Sequence, residues 1–200
     1  GIQRVMRLFD LHPYRRRGKK PRKSSRISSL GYPNLVKGIT PQYENHIWAA
    51  DFTYLSYQGK FLYVATVIDL FTRKIVGWSV LRNHSTALVL PALFMALSAN
   101  PRPAIFHSDN GREYISKLFA RILTKTGIQI SRNAPASPWE NGYQESFYAQ
   151  FKIDLGDPNR FASLGELVYE IAKTIWAYNH TRIHTALKMP PVVYAMRHCQ

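Results

Sequence analysis

Three apolar, aromatic-rich runs succeed one another within residues 46–81 with almost no chain between them. Residues 46–57 carry Trp48, Ala50, Phe52, Tyr54 and Leu55. Residues 60–69 carry Phe61, Tyr63, Val64, Ala65, Val67 and Ile68. Residues 74–81 carry Ile75, Val76, Trp78 and Val80. Runs this short, rich in β-branched and aromatic side chains, read as strands. The gaps, Gln58-Gly59 and residues 70–73, have room for hairpin turns and for nothing else. An antiparallel meander is therefore fixed early, and the rest of the chain must pack on it.

Beyond residue 81 the pattern alternates helix and strand. Ser85 or Thr86 caps a helix running to about Ser98, and Pro91 inside it predicts a kink or a start displaced to that point. Pro101 and Pro103 bracket a loop before a short buried strand at 104–107. Residues 116–126 read as a helix stopped by Gly127, and 128–131 as a fifth strand. Residues 133–142 hold two prolines, one glycine and Trp139 and are expected to be a mobile loop. Helices come next at 143–154 and 163–178, the second with Ser163 and Glu166 as a capping box. Pro190 or Pro191 begins a last short helix through Met196. This order predicts an α/β fold: a five-stranded mixed sheet, three antiparallel strands plus two parallel additions, flanked by helices.

Charge divides the chain. Ten of its 27 Lys and Arg, but one of its 12 acids, fall within residues 1–30. Residues 1–12 read as the end of a short amphipathic helix, 13–42 as a basic flexible linker, and 43–200 as the core. Opening on what reads as mid-helix, the sequence looks like a piece of a longer protein. The body is basic too, and a net charge of +15 implies a polyanionic partner, nucleic acid first. No apolar run approaches the length of a membrane span, and no apolar stretch succeeds the basic N-terminal residues as in a secretory signal. The single cysteine, Cys199, leaves no disulfide framework and no cysteine-based zinc site.

Three carboxylates stand at the tips of separate elements. Asp51 lies on the first strand, Asp109 just after the fourth, and Glu145 on the helix beyond the loop. If the first and fourth strands are neighbours, the two aspartates come within reach of a shared metal, and the Glu145 helix closes the site. Phosphodiester cleavage needs an activated nucleophile and a stabilised leaving oxygen, which two Mg²⁺ ions about 4 Å apart supply. Mg²⁺ takes oxygen ligands and few of them from protein, so two or three acids suffice, with Mn²⁺ as a substitute. Asp69 also ends a strand, but it precedes a short turn and reads as a turn residue.

The motifs in order resemble one family. They are Trp48-Ala-Ala-Asp-Phe-Thr-Tyr54, Tyr63-Val-Ala-Thr-Val-Ile-Asp-Leu-Phe-Thr-Arg73 with Ile75-Val-Gly-Trp78, and His107-Ser-Asp-Asn-Gly-Arg-Glu-Tyr114. Later come Glu140-Asn-Gly-Tyr-Gln-Glu-Ser-Phe147, Tyr178-Asn-His-Thr-Arg182 with His184, then Pro190 and Tyr194. From about residue 45 to 197 the chain resembles the catalytic core of insertion-sequence transposases, the bacterial type with a helix-turn-helix region, related to retroviral integrases. The resemblance implies a ribonuclease-H-like fold and a DDE triad of Asp51, Asp109 and Glu145. It implies a DNA transposase acting with two Mg²⁺ ions on double-stranded DNA, as a homodimer or higher oligomer on the nucleoid in a bacterial cytoplasm. Residues 3–10 and the basic Tyr14-Arg-Arg-Arg17 resemble the last helix of the helix-turn-helix region and its linker. Two positions depart from the pattern. Glu140 stands where many relatives have aspartate, and Ile183 where many have proline. Two other classes stay open: a catalytically inactive transposase-derived DNA-binding or assembly protein, and a ribonuclease-H-like nuclease.

Other residues carry two readings each. Arg15, Arg16, Arg17, Lys19, Lys20, Arg22 and Lys23 are candidates for phosphate contacts. Trp139 is a loop anchor or a stacking platform for a base. Asn141, Gln144 and Lys152 are candidates for DNA contacts. Arg182 braces the fold or holds a phosphate, and Tyr178, Asn179 and His184 brace it. His107 orients a carboxylate or donates to a phosphate, or is simply a packed histidine. Asn110 and Gly111 form the turn that aims Asp109. Glu113 is the acid most easily mistaken for a ligand.

Overall fold

A computed structural model of the chain describes residues 32–133 and 142–198. β1 (Ile47–Tyr57), β2 (Lys60–Asp69) and β3 (Ile75–Leu81) form the antiparallel meander. The first hairpin turns on Gln58 and Gly59, both at positive φ (49° and 72°), the conformation a two-residue hairpin needs to match strand twist. The second turn is organised by Asp69, fully buried at the end of β2. Its carboxylate accepts from Phe71 N (3.1 Å), Thr72 N (2.7 Å), Thr72 Oγ1 (2.8 Å) and Asn45 N (2.7 Å). Asp69 is thus a turn residue, as expected.

The chain then passes through α1 (Thr86–Ala99), β4 (Ile105–Ser108), α2 (Arg112–Ile115), α3 (Lys117–Lys125) and β5 (Gln129–Arg132). β4 lies parallel to β1 and β5 parallel to β4, giving the order β3-β2-β1-β4-β5. This is the five-stranded mixed sheet expected. α4 (Gly142–Leu155), a 3-10 turn (Pro158–Arg160), α5 (Leu164–His180) and α6 (Pro191–His198) complete it. Ser163 Oγ accepts from Glu166 N at 3.2 Å, capping α5. Pro91 does not displace the start of α1, which runs from Thr86 through it, and Ser85 makes no side-chain cap bond. The expected 116–126 helix is preceded by the separate turn of α2, and Ser116 caps α3 by accepting from Phe119 N.

The side-chain period of two along β1 assigns its residues to two cores. Ile47, Ala49 and Leu55 face α4 and α5, meeting Phe147, Phe151, Leu167 and Ile171. Trp48 and Ala50 face α1 and α3, meeting Leu88, Leu93, Phe119 and Leu123. Asp51 shares the parity of the first set, so its carboxylate lies on the α4 side of the sheet. Packing begins upstream of residue 43. Pro33 O accepts from Arg132 N (3.2 Å) and Leu35 N donates to Ser131 Oγ (2.9 Å), tying this segment to β5. Among the described residues no helix is long and apolar enough to cross a membrane.

Candidate active site

The parallel pairing of β1 with β4 runs from Ile47 opposite Ile105 to Ala50 opposite Ser108. Asp51 and Asp109 are each the next residue, so two carboxylates leave neighbouring strands at the same level. Asp51 Oδ1 accepts from its neighbour Phe52 N (2.8 Å). Asp109 begins the turn, and its Oδ1 accepts from Gly111 N (2.9 Å). Asn110 Nδ2 donates to Asn133 O (2.9 Å), pinning the turn to the chain after β5. Gly111 has an ordinary φ of −61°, so what a larger residue would meet here is lack of space rather than backbone strain. A Cβ at Gly111 would lie 2.8 Å from Glu113 Oε2 and 2.9 Å from Asp109 Oδ1.

Both aspartates are hard to ionise. Burial pushes Asp51 up to about 7 from its ordinary 3.8, the Phe52 N–H offsets part of this, and repulsion from Asp109 and then Glu145 adds to it. Burial raises Asp109 as well; the Gly111 N–H lowers it, the Glu113 carboxylate raises it, and the Arg132 guanidinium lowers it. The acids do crowd one another, but burial is the larger cause. Glu113 is buried and lies 2.6 Å from His84 Nδ1, which gives it a structural partner. Arg132, only 2% exposed, lies beneath the site. Its Nη2 donates to Tyr114 O (2.7 Å) and its Nη1 to Ser108 Oγ. No sequence pattern marks this buried cation.

The third acid sits in the first turn of α4, where Glu145 is exposed. Its neighbours fix the helix. Gln144 Nε2 donates to Ala49 O (2.8 Å), and its Oε1 accepts from Thr66 Oγ1 (3.0 Å). Tyr148 Oη donates to Asp51 O (2.7 Å) and lies 2.8 Å from Thr66 Oγ1. These two residues, four apart on one helical face, clamp α4 to β1 and β2 on either side of the turn that carries Glu145. Gln144, a candidate DNA contact by sequence, is instead fully buried with its amide satisfied by the sheet. Its position carries a signal of this: Gln144 shares its row with Phe147, Tyr148 and Phe151, all buried.

Oxygen-only donors suit a hard divalent cation such as Mg²⁺ or Mn²⁺. Among the described residues, no three acid, histidine or cysteine side chains are drawn together tightly enough to hold an ion as they stand. The sheet fixes Asp51 beside Asp109, and Glu145 lies close enough to Asp51 to repel it. The donor chemistry fits the ion, and Glu145 is the exposed one of the three acids.

The supporting residues divide cleanly. His107 is buried between β4 and β5, its Nδ1 2.9 Å from Ser131 Oγ and its Nε2 bonded to Asn133 Oδ1, so it ties the two strands together. Asn179 bonds both backbone groups of Ile75, accepting from its N and donating to its O at 2.9 Å each. Tyr178 is buried against Phe147, and His184 meets its ring edge-on. Arg182 pairs with Asp154 at 3.2 Å, both half-exposed. Lys152 is exposed, its ammonium 5.1 Å above the Tyr54 ring. Arg15, Arg16, Arg17, Lys19, Lys20, Arg22, Lys23, Trp139 and Asn141 lie outside the described residues.

Two family models described as integrase core domain match the chain, over residues 41–138 and 126–191. The transposase for insertion sequence element IS904 of Lactococcus lactis is 33% identical over 190 residues, covering 93% of this chain and 75% of that protein. The transposase for insertion sequence element IS629 of Shigella sonnei is 32% identical over 179 residues, covering 88% and 60%. The chain thus spans three quarters of one of these relatives and less than two thirds of the other. Among solved structures, the magnesium complex of the HTLV-2 integrase catalytic core domain superposes with a TM-score of 0.64 at 20% identity, covering 76% of this chain and 97% of that one. An intasome of simian T-cell lymphotropic virus gives a TM-score of 0.69 at 20% identity, covering 76% and 55%. At such identities the likeness speaks for the fold.

Proposed function

Because the chain belongs to the integrase core domain family, with insertion-sequence transposases among its relatives, we propose that it is the catalytic core of a DNA transposase. On this reading it cuts the ends of an element and joins the freed 3′-hydroxyl to target DNA. The observation that carries the proposal is the level placement of Asp51 and Asp109 at the ends of paired parallel strands, with Glu145 in electrostatic reach.

Asp51, Asp109 and Glu145 are the residues that would hold Mg²⁺ or Mn²⁺. Bound there, the ions supply charge stabilisation at the attacking and leaving oxygens of an in-line displacement. The chain's own contribution is position. Gly111 leaves room for the Asp109 carboxylate and lends it an N–H. Arg132 offsets part of its charge from below. Gln144 and Tyr148 seat the helix of Glu145 on the sheet. Burial, with the neighbouring acids, raises Asp51 toward neutrality, and a cation bound there would favour its ionised form. The substrate is double-stranded DNA, drawn in by the chain's net +15, and the working form is an assembly of copies on it.

A Mg²⁺-dependent assay of strand cleavage and joining on duplex DNA with element ends, run beside hydrolysis of an RNA–DNA hybrid, tests this. Cutting and joining of duplex is the expected result. Hydrolysis of the hybrid alone would make the chain a ribonuclease-H-like nuclease, and no reaction with retained DNA binding would make it an inactive relative.

A further inference from the structure

A cleft of about 830 Å³ opens on a flank of α4 that does not include Glu145. Its floor is apolar, with Ile68, Phe147 and Tyr178, and its charged lining is all basic. Arg73, Arg182 and His184 reach into it from two separate segments, and among the described residues no Asp or Glu lines it.

Arg73 is built into place. It leaves the β2–β3 turn at a φ of 64°, donates its backbone N–H to Asp69 O (2.8 Å), and lays its guanidinium 3.7 Å over the Tyr143 ring. Its Nε and Nη1 are buried and have no hydrogen-bond partner among the described residues. Unmet buried donors carry a desolvation cost, and Arg73, half-buried as a whole, lines the cleft with the rest of its side chain. Arg182 pairs with Asp154, which stands outside the cleft lining. His184 Nδ1 accepts from Ala186 N (3.3 Å), which leaves its proton on Nε2 as a donor. Burial first, then the charges of Arg73 and Arg182, make His184 reluctant to take a second proton, so the three groups share one field.

We propose that this cleft is an anion site that takes a backbone phosphate of duplex DNA, with Arg73 and Arg182 as its charged donors and His184 as a neutral one. The inference rests on DNA being the substrate. It adds a second contact line on α4, separate from the acid site: one flank carries Glu145 and another grips the phosphate backbone. Charge complementarity selects the occupant, since a cleft with three basic donors and no acid among the described residues matches a polyanion better than a second copy of a chain of net +15.

The test is equilibrium binding of a fluorescent duplex of about 30 base pairs, with salt as the variable. It compares the parent chain with Arg73→Gln, Arg182→Gln, and Arg121→Gln, an exposed position on α3. Each cleft variant should lower the slope of log affinity against log salt, by at most about 0.9 for the one phosphate the two arginines share, with melting unchanged for Arg182→Gln and slope unchanged for Arg121→Gln. If Arg73→Gln melts early, the half-exposed Arg182→Gln decides the outcome. Parent-like slopes in folded cleft variants would overturn the site while leaving DNA as the substrate. A parent-like slope with a changed oligomeric state would assign the cleft to a second copy and overturn it equally. A parent chain that does not bind the duplex at all would overturn the substrate as well.

Discussion

The side-chain amide of Gln144 donates to the backbone carbonyl of Ala49 at 2.8 Å, across 95 residues of sequence. It joins the helix that carries Glu145 to the strand that carries Asp51. Gln144→Leu keeps the size and removes the donor to the Ala49 carbonyl, while the Thr66 hydroxyl keeps only Tyr148 Oη. Unfolding free energy should fall by about 1–3 kcal/mol, read from urea denaturation with an unchanged m-value. Loss of DNA affinity at full stability would instead return Gln144 to the DNA-contact role.

Gly111 makes a different kind of prediction. Alanine tolerates its φ of −61°, but the added methyl carbon meets the carboxylates of Asp109 and Glu113. Gly111→Ala should therefore fold with a change of less than about 1 kcal/mol, while metal-dependent activity falls about 100-fold as Asp109 is displaced. Melting curves and rates on the same preparations check this. Equal activity would show that the turn has room to spare.

Stability without divalent metal should depend on pH through Asp51. Its folded-state value of about 7 lies above its ordinary 3.8, so between those values the folded chain holds a proton that the unfolded chain has lost. The unfolded state binds fewer protons there, and stability falls as pH rises through that window. Asp51→Asn removes the titration. The advantage of the variant over the parent should grow from about pH 4 to about pH 7 and level off above it, as only the parent loses the Asp51 contribution until both of its states are ionised. Mg²⁺ should restore the parent at the upper end, since it binds the folded form. Denaturation curves at a series of pH values with chelator, then with Mg²⁺, measure both effects. A gap between the two proteins that does not change with pH would mean that Asp51 ionises normally.

The strands are legible because each is a short β-branched and aromatic run, and two-residue and four-residue gaps admit only hairpins. The level placement of Asp51 and Asp109 comes directly from taking β1 and β4 as neighbours. Less legible are the polar residues that the fold buries. Gln144 reads as a DNA contact and nothing in the sequence singles out Arg132 or Arg73; the first two are buried and the third half-buried on partners from distant parts of the chain: the carbonyl of Ala49, the carbonyl of Tyr114 and the ring of Tyr143. Gln144 alone leaves a trace, its place in the helical row of Phe147, Tyr148 and Phe151. Of the two readings of Pro91, the displaced start does not hold. Pro91 stands exposed in α1, and the helix runs through it from Thr86.

The central claim is that Asp51, Asp109 and Glu145 act as one metal-holding site. The direct measurement is Mg²⁺-dependent cutting and joining of duplex element ends by the parent protein, Asp51→Asn, Asp109→Asn and Glu145→Gln. Each variant should retain its fold and bind DNA, and each should lose both cutting and joining. Cutting and joining by Glu145→Gln at the parent rate would contradict the triad and move its third place to another acid, Glu113 or Glu140.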